Sequence, residues 1–220
     1  MTIVIAIDGP SGSGKSTVAR AVAAELGRPV LDTGAMYRAV TLAVLETGAA
    51  LDDAAACAAI ARASDITVEN GVTMLDGRDV SSEIRGPLVT GAVSIVSAHP
   101  EVREILVARQ RAWVARHGGG VVEGRDIGTV VFPDATVKAF LVASDDERAR
   151  RRHRDEMAAA RAVAVEDVKA ALDRRDAIDT GRAVSPLRPA DDAIVIDTTK
   201  LDVDSVVADV VSRARSAEAR

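Results

Sequence analysis

Apolar positions along this chain come in two alternating rhythms: short unbroken runs, and longer stretches with a helical period. Residues 2–7, "TIVIAI", are nearly continuous in Ile and Val, as in a strand buried on both faces of a parallel sheet. The stretch after Gly14 is helical to about Leu26, where Gly27 can close it. "PVLDTG" reads as strand and turn, with a helix from about Met36 to Glu46, and an alanine-rich helix follows over 53–63. The rhythm then changes. "ITVENGVTMLDGRDVS" sets Asn70-Gly71 between two β-prone runs and adds a second turn at Asp76-Gly77, which predicts a small antiparallel insertion over 64–90. Helical periodicity returns over 88–116, broken near Pro100. "GGGVVEGRDIG" and "ATVKAFLVA" are two further strands, the first with Glu123, Arg125 and Asp126 at its C-terminal end. Ser144 and Glu147 have capping-box spacing, so a helix starts there; "AIVID" at 193–197 is the last strand and 202–216 the last helix.

This alternation predicts an α/β fold: a parallel β-sheet flanked by helices, with a small antiparallel β insertion and an arginine-rich helical lid. The expected organisation is a core of residues 1–63 and 91–220, with the lid at about 144–162, and the insertion at 64–90. Ligands of such sheets bind beyond the carboxyl ends of the strands. "GPSGSGKST", "DTG" and "EGRD" all fall there.

Composition narrows the function classes. A chain of 220 residues with 48% hydrophobic and 28% charged positions suits one soluble globular unit and argues against disorder. An aromatic share of 2% leaves few base-stacking platforms, and a net charge of -5 further argues against a nucleic-acid polymer as partner. Cys57 stands alone, which excludes an internal disulfide and fits a reducing cytosol. The first apolar run is too short for a membrane span and lacks a basic leader. A cytoplasmic monomer with small-molecule substrates is the expectation. Lysines are scarce: Lys15, Lys138, Lys169 and Lys200 are the only ones among 28 basic residues.

Lys15 sits in the clearest motif. Gly9, Gly14, Lys15 and Ser16 fill every fixed position of G-x-x-x-x-G-K-[ST] between a strand and a helix. Glycines let successive N–H groups turn inward, the helix N-terminus adds partial positive charge, and the lysine reaches the β and γ phosphates. Gly9, Pro10, Ser11, Gly12, Ser13, Gly14, Lys15, Ser16 and Thr17 are thus the candidate ATP site, with Ser16 as a ligand of Mg²⁺. A dinucleotide fingerprint starting at Gly12 fails, since its last position is Thr17. The loop indicates a nucleoside triphosphate but not its use; kinases, GTPases and motor ATPases share it.

Anion-binding residue types recur at other strand ends. "LDTGAMYR" offers Thr33, Tyr37 and Arg38, with Thr33 also readable as a helix cap and Tyr37 also as core. Arg125 beside Asp126 reads either as a local ion pair or as a phosphate ligand next to a base-reading acceptor, the pairing Asp makes with cytosine N4. "SDDERARRRHRDE" places Arg148, Arg151 and Arg152 on one helical face. That face is either a solvated surface or a lid stabilising a transferring phosphoryl group. "RRDAIDTGRAVSPL" adds Arg175, Asp179 and Arg182. No Ser/His/Asp order or metal-ligand spacing appears, and His99, His117 and His153 read as surface or structural residues.

Together these segments resemble the bacterial cytidylate kinases, nucleoside monophosphate kinases that phosphorylate CMP and dCMP with ATP. "IDGPSGSGKST", "LDTGAMYR", "DGRDVSSEIR", "VREILVARQR", "EGRDIGTVVFPDA", "RRD" and "GRAVSPL" occur here in that family's order and span nearly the whole chain. The resemblance implies a (d)CMP kinase, a phosphotransferase acting on a phosphate acceptor in pyrimidine metabolism. It implies that Ser94, Arg103 and Asp126 recognise cytosine, that Arg175 and Asp179 hold the ribose, and that Arg38, Arg125 and Arg182 hold the acceptor phosphate with Thr33 nearby. Lid arginines fall in Arg148 to Arg154, with Arg148 and Arg152 assigned to ATP. Lys15, Arg125, Arg182 and Arg151 are the expected catalytic set. Glu123 stands where some relatives carry Asp. The alternatives are a non-catalytic nucleotide switch, although the sequence has no guanine-reading N-K-x-D, and a small-metabolite kinase such as one for shikimate.

Overall fold

The computed structural model describes residues 2–158 and 164–219. Its main sheet has five strands, β1 (Ile3–Asp8), β2 (Val30–Asp32), β6 (Gly119–Gly124), β7 (Val137–Val142) and β8 (Ile194–Asp197), in the order β2-β6-β1-β7-β8 with every pairing parallel. A separate antiparallel sheet comprises β3 (Ile66–Glu69), β4 (Val72–Leu75) and β5 (Arg78–Asp79). The helices are α1 (Lys15–Leu26), α2 (Thr33–Thr47), α3 (Ala54–Ala63), α4 (Pro87–Val96), α5 (Pro100–His117), α6 (Asp145–Ala158), α7 (Val165–Gly181) and α8 (Val203–Glu218).

The unbroken run of β1 reflects burial on two sides. Ile3, Ile5 and Ile7 pack with α1 and α8 residues such as Val22 and Val210, whereas Val4 and Ala6 face a cluster containing Val40, Val96 and Leu106. Each fully buried Ile or Val contributes about 1.5–3 kcal/mol, so the central strand is a rigid base for the loop at its carboxyl end. Among the described residues no helix is long and apolar enough to cross a membrane.

Three local features differ in detail from expectation. α2 starts at Thr33 rather than near Met36, because the Asp32 carboxylate caps it by accepting from Ala35 N at 3.0 Å. This makes Asp32 the cap and frees the Thr33 hydroxyl. The hairpin turn forms at Asn70-Gly71, both with positive φ, but the strands end at Asp79; a 3-10 turn at Glu83–Arg85 and the start of α4 at Pro87 occupy the rest of the 64–90 stretch. The small sheet also has no core of its own, since Val68, Leu75, Val80 and Ile84 belong to the same buried cluster as α2. The expected capping box is half formed. Ser144 Oγ accepts from Glu147 N at 3.4 Å, but Ser144 N donates to Thr199 Oγ1 at 2.9 Å and Glu147 turns to Arg151. Residues 159–162 of the expected lid lie outside the described residues.

Candidate active site

A cleft of about 1120 Å³ runs along the carboxyl ends of β1, β2 and β6 and between α1 and α6. Its floor is the loop between β1 and α1. Gly9 (φ 147) and Gly12 (φ 78) make the turn, and a Cβ at Gly9 would lie 2.1 Å from Leu141 O, so no side chain fits. Lys15 Nζ donates to Pro10 O at 2.6 Å, and Ser13 Oγ donates to the same carbonyl at 3.0 Å. Burial, then Arg125 across the cleft, push the Lys15 ammonium well below its ordinary range. Ser16 Oγ donates to Glu123 Oε2 at 2.8 Å, and Thr33 Oγ1 donates to the carbonyl of Glu123 at 2.7 Å. The last acid of β6 therefore bridges the phosphate loop and the start of α2. Burial, reinforced by Asp32, pushes that carboxyl up to about 7.

Opposite the loop stands a knot of guanidinium groups. Asp179, buried on α7, accepts from Arg125 Nε at 3.0 Å, pairs with Arg182, and has Arg175 Nε at 3.8 Å. Burial alone would raise the Asp179 carboxyl, but Arg125, Arg182 and Arg175 outweigh it and hold the group below its usual range. Beside it, Arg103 Nη2 donates to Asp126 Oδ2 at 2.6 Å and Nη1 to Ser97 O at 3.2 Å, while the guanidinium lies 5.3 Å from the Tyr37 ring centroid. Arg38 donates to Ile84 O at 3.0 Å and Thr90 Oγ1 at 2.9 Å. Burial and neighbouring guanidinium groups push Arg38 down to about 9 and Arg175 down to about 10. Both remain charged at neutral pH, so the wall stores repulsion that an anion relieves.

The lid helix α6 closes one side. Arg151 donates to Thr198 Oγ1 at 2.9 Å and Thr198 O at 2.7 Å, and Arg152 pairs with Glu156 at 2.6 Å; both line the cleft. Arg148 does not. It donates to Ser11 O at 3.1 Å and pairs with Asp145 and with Asp176 on α7, which makes it a strut between the lid, the loop and α7. A Cβ on Gly12 would lie 2.9 Å from Arg148 O, so lid and loop are in direct contact.

Of the residues singled out in the sequence, the cleft brings together Ser11 to Thr17, Thr33, Arg38, Arg103, Arg125, Asp126, Arg151, Arg152, Arg175, Asp179 and Arg182. Gly9 and Pro10 shape the loop from below. Ser94 is buried in α4, where its carbonyl accepts from Ser97 Oγ at 3.4 Å, and its neighbours Val93 and Ser97 reach the wall instead. Tyr37, open in the sequence between site and core, is both: it belongs to the buried cluster of α2 and lines the cleft. Several wall residues are not singled out by the sequence motifs: Ser97, Arg85, Thr198 and the segment Leu201 to Val203. The last segment follows a strand's carboxyl end, a position that could have flagged it. His99 and His117 are structural: His99 Nε2 meets Leu51 O at 2.7 Å, and His117 stacks on Trp113.

Known proteins resemble this chain in sequence and in fold. The sequence profile of the family described as Cytidylate kinase matches residues 5–216. A cytidylate kinase of Nocardia farcinica is 52% identical over 96% of this chain and 92% of that protein. A cytidylate kinase of Caldanaerobacter subterraneus is 49% identical over 98% of this chain and 96% of its own. Among solved structures, a gluconokinase from Sinorhizobium meliloti superposes with a TM-score of 0.51 at 16% identity, covering 99% of this chain and 94% of that one, a likeness of fold alone.

Proposed function

The chain belongs to the cytidylate kinase family and transfers the γ-phosphoryl group of ATP to CMP and dCMP, and we propose that it does so with the two nucleotides at opposite ends of the cleft. The observation that carries this arrangement is the guanidinium knot around Asp179 facing the phosphate loop across one continuous cavity.

On this reading the backbone of Ser11 to Thr17 cradles the triphosphate, and Lys15 leaves Pro10 O to reach its terminal oxygens. Arg151 and Arg152 cover it from the lid; Arg148 already has partners in Ser11, Asp145 and Asp176, so we assign it to holding the lid. The segment Leu201 to Val203 offers apolar ground for the donor base. At the other end Arg38, Arg125 and Arg182 take the acceptor phosphate with Thr33 nearby, Arg175 and Asp179 take the ribose, and Arg103 with Asp126 reads the base, with Ser94 supporting that wall. Asp126 has given Oδ2 to Arg103, and Oδ1 is the oxygen we assign to the amino group of cytosine.

No general base is needed, because a phosphate monoester oxygen is already anionic near pH 7, its second pKa being about 6. The residues act by alignment and by charge. Lys15, Arg151, Arg125 and Arg182 face the space where the phosphoryl group passes, and the stored repulsion among the arginines falls as anions fill it. Closure of the lid and of the small sheet keeps water from competing.

The donor set suits Mg²⁺. The hydroxyl of Ser16 lies beside the Glu123 carboxylate, both hard oxygen ligands, and no group of three or more His, Cys, Asp or Glu that could hold a metal exists among the described residues. The ion would be held by Ser16, with Glu123 beside it, and by substrate phosphates, where it would neutralise charge. We place the enzyme in the cytoplasm, where a lone free thiol such as Cys57 stays reduced, and take it as a monomer.

The test is ADP formation measured with CMP, dCMP, UMP, AMP and GMP as separate acceptors. CMP and dCMP are expected to give the highest kcat/KM, and a strong preference for any other monophosphate overturns the acceptor assignment.

A further inference from the structure

We propose that Asp8, the last residue of β1, is a positioning residue for the acceptor nucleotide: its carboxylate grips the turn that carries Arg125 and Asp126 and ties that turn to the root of the donor loop. The inference rests on the roles proposed for Arg125 and Asp126 in holding the acceptor.

Beyond β6 the chain enters a π-helical turn at Ile127–Val131. Val130 N and Val131 N donate to Asp126 O, and Phe132 N donates to Ile127 O. The first N–H groups of the turn have no partner within it, as at any helix start. Asp8 satisfies both, Oδ1 accepting from Ile127 N at 2.8 Å and Oδ2 from Gly128 N at 2.7 Å. The far end is held as well. Arg111 on α5 donates from Nε to Val131 O and from Nη2 to Val130 O, each at 2.9 Å. The turn is thus clamped front and back by two residues, Asp8 and Arg111, neither of which lines the cleft.

The side chains that matter lie immediately beside the clamp. Arg125 and Asp126 precede Ile127, and Gly9, where the phosphate loop opens, comes directly after Asp8. A shift of the turn moves the acceptor ligands, while the donor loop keeps its own glycine turn and its bonds to Pro10 O. Both carboxylate oxygens are needed as acceptors. An asparagine offers one and sets an NH₂ against an N–H, so one of the two grips is lost.

Protonation should act in the same direction as that substitution. The charged groups facing Asp8 are Lys15 from α1 and Asp126 from the turn, while Lys138 of β7 lies against Gly128 but sends its ammonium to Asp192. Burial pushes the Asp8 carboxyl up to about 6 against the two N–H bonds that lower it. Below that pH one acceptor oxygen becomes an O–H.

The experiment compares Asp8→Asn with the wild type for kcat and for the KM of CMP and of ATP, from pH 8 to pH 5.5. The KM for CMP should rise about 10-fold at pH 8, as the loss of one buried bond implies, with the KM for ATP within about twofold. The ratio of the two proteins' KM values for CMP should then fall toward one as pH drops through about 6, because the wild type itself loses the second acceptor. Titration of the CMP phosphate cancels in that ratio. Equal rises for CMP and ATP, an unchanged KM for CMP, or a ratio flat with pH overturns the proposal. Should Asp8→Asn fail to fold, Arg111→Met releases the same turn from its exposed side, and a rise confined to CMP is again the expected result, its absence the refutation. If the wild type turns over another monophosphate, the acceptor assignment falls, and the selective rise is read on that acceptor to decide the role of Asp8.

Discussion

In Asp126→Asn the side chain keeps its shape and loses its charge and one of its two acceptors. The location of the residue sets the consequences. Asp126 Oδ2 accepts from Arg103 Nη2 at 2.6 Å, and the two side chains are only 5% and 3% exposed. Arg103 otherwise reaches Ser97 O and the Tyr37 ring, neither of which carries a counter-charge. Removing one partner of a buried ion pair costs about 3–5 kcal/mol, and because the amide oxygen still accepts from Arg103, the lower end, about 3 kcal/mol, is expected. For a domain of this length each kcal/mol lowers Tm by about 2–4 °C, so the variant should melt about 6–12 °C below the wild type. With its oxygen committed to Arg103, the amide presents NH₂ to the base. That favours the carbonyl of uracil over the amino group of cytosine, and a well-placed base contact of this kind is worth about 1–3 kcal/mol. The preference for CMP over UMP in kcat/KM should fall by about 5- to 150-fold. The assay is ADP formation at saturating ATP, at 25 °C, with CMP and UMP as separate acceptors. An unchanged CMP to UMP ratio in a folded variant refutes the assignment of Asp126 to the base.

Lys15→Ala removes the only lysine of the phosphate loop, and kcat with CMP is expected to fall by about 10²–10³ in a protein that still folds; near-normal turnover would contradict its role in the transfer. Gly12→Ala meets two obstacles, a φ of 78° and a Cβ 2.9 Å from Arg148 O. Backbone strain alone costs about 1–2 kcal/mol, a Tm loss of about 2–8 °C, and the displaced lid should raise the KM for ATP; an unaltered KM would show that loop and lid do not press on each other in solution. Asp179→Asn leaves Arg125, Arg175 and Arg182 with no carboxylate between them, so inorganic phosphate should inhibit more strongly while the KM for CMP rises. Weaker inhibition than in the wild type would count against this. Because the folded state holds Asp179 below its ordinary 3.8, its stabilisation is complete at neutral pH and is lost as pH falls through the lowered value, so the variant's Tm should depend less on pH in acid.

The conformation of the phosphate loop was legible in the sequence because its causes are local. Gly9, Gly12 and Gly14 adopt backbone angles that side chains resist, directly between a strand and a helix, and the bonds of Ser13 and Lys15 to Pro10 O span five residues or fewer. The hairpin at Asn70-Gly71 was legible for the same reason, as were the strands and most helices, whose periodicity needs no knowledge of the partner. Residues that act through distant partners were not legible. Nothing near Arg148 announces Ser11 or Asp176, the partners on which we assign it to the lid rather than to ATP, and nothing near Asp8 announces Ile127 and Gly128, some 120 residues away. Ser97 and Thr198 reach the cleft only because helices and strands far apart in the chain converge at one end of a sheet. By itself the sequence determined which segments become strands and helices and where a phosphate can be cradled, since backbone conformation and apolar period are properties of neighbouring residues. The tertiary structure alone decided which charges share a buried space. Burial sets whether a guanidinium needs a carboxylate or a phosphate beside it, and burial exists only once the layers have packed.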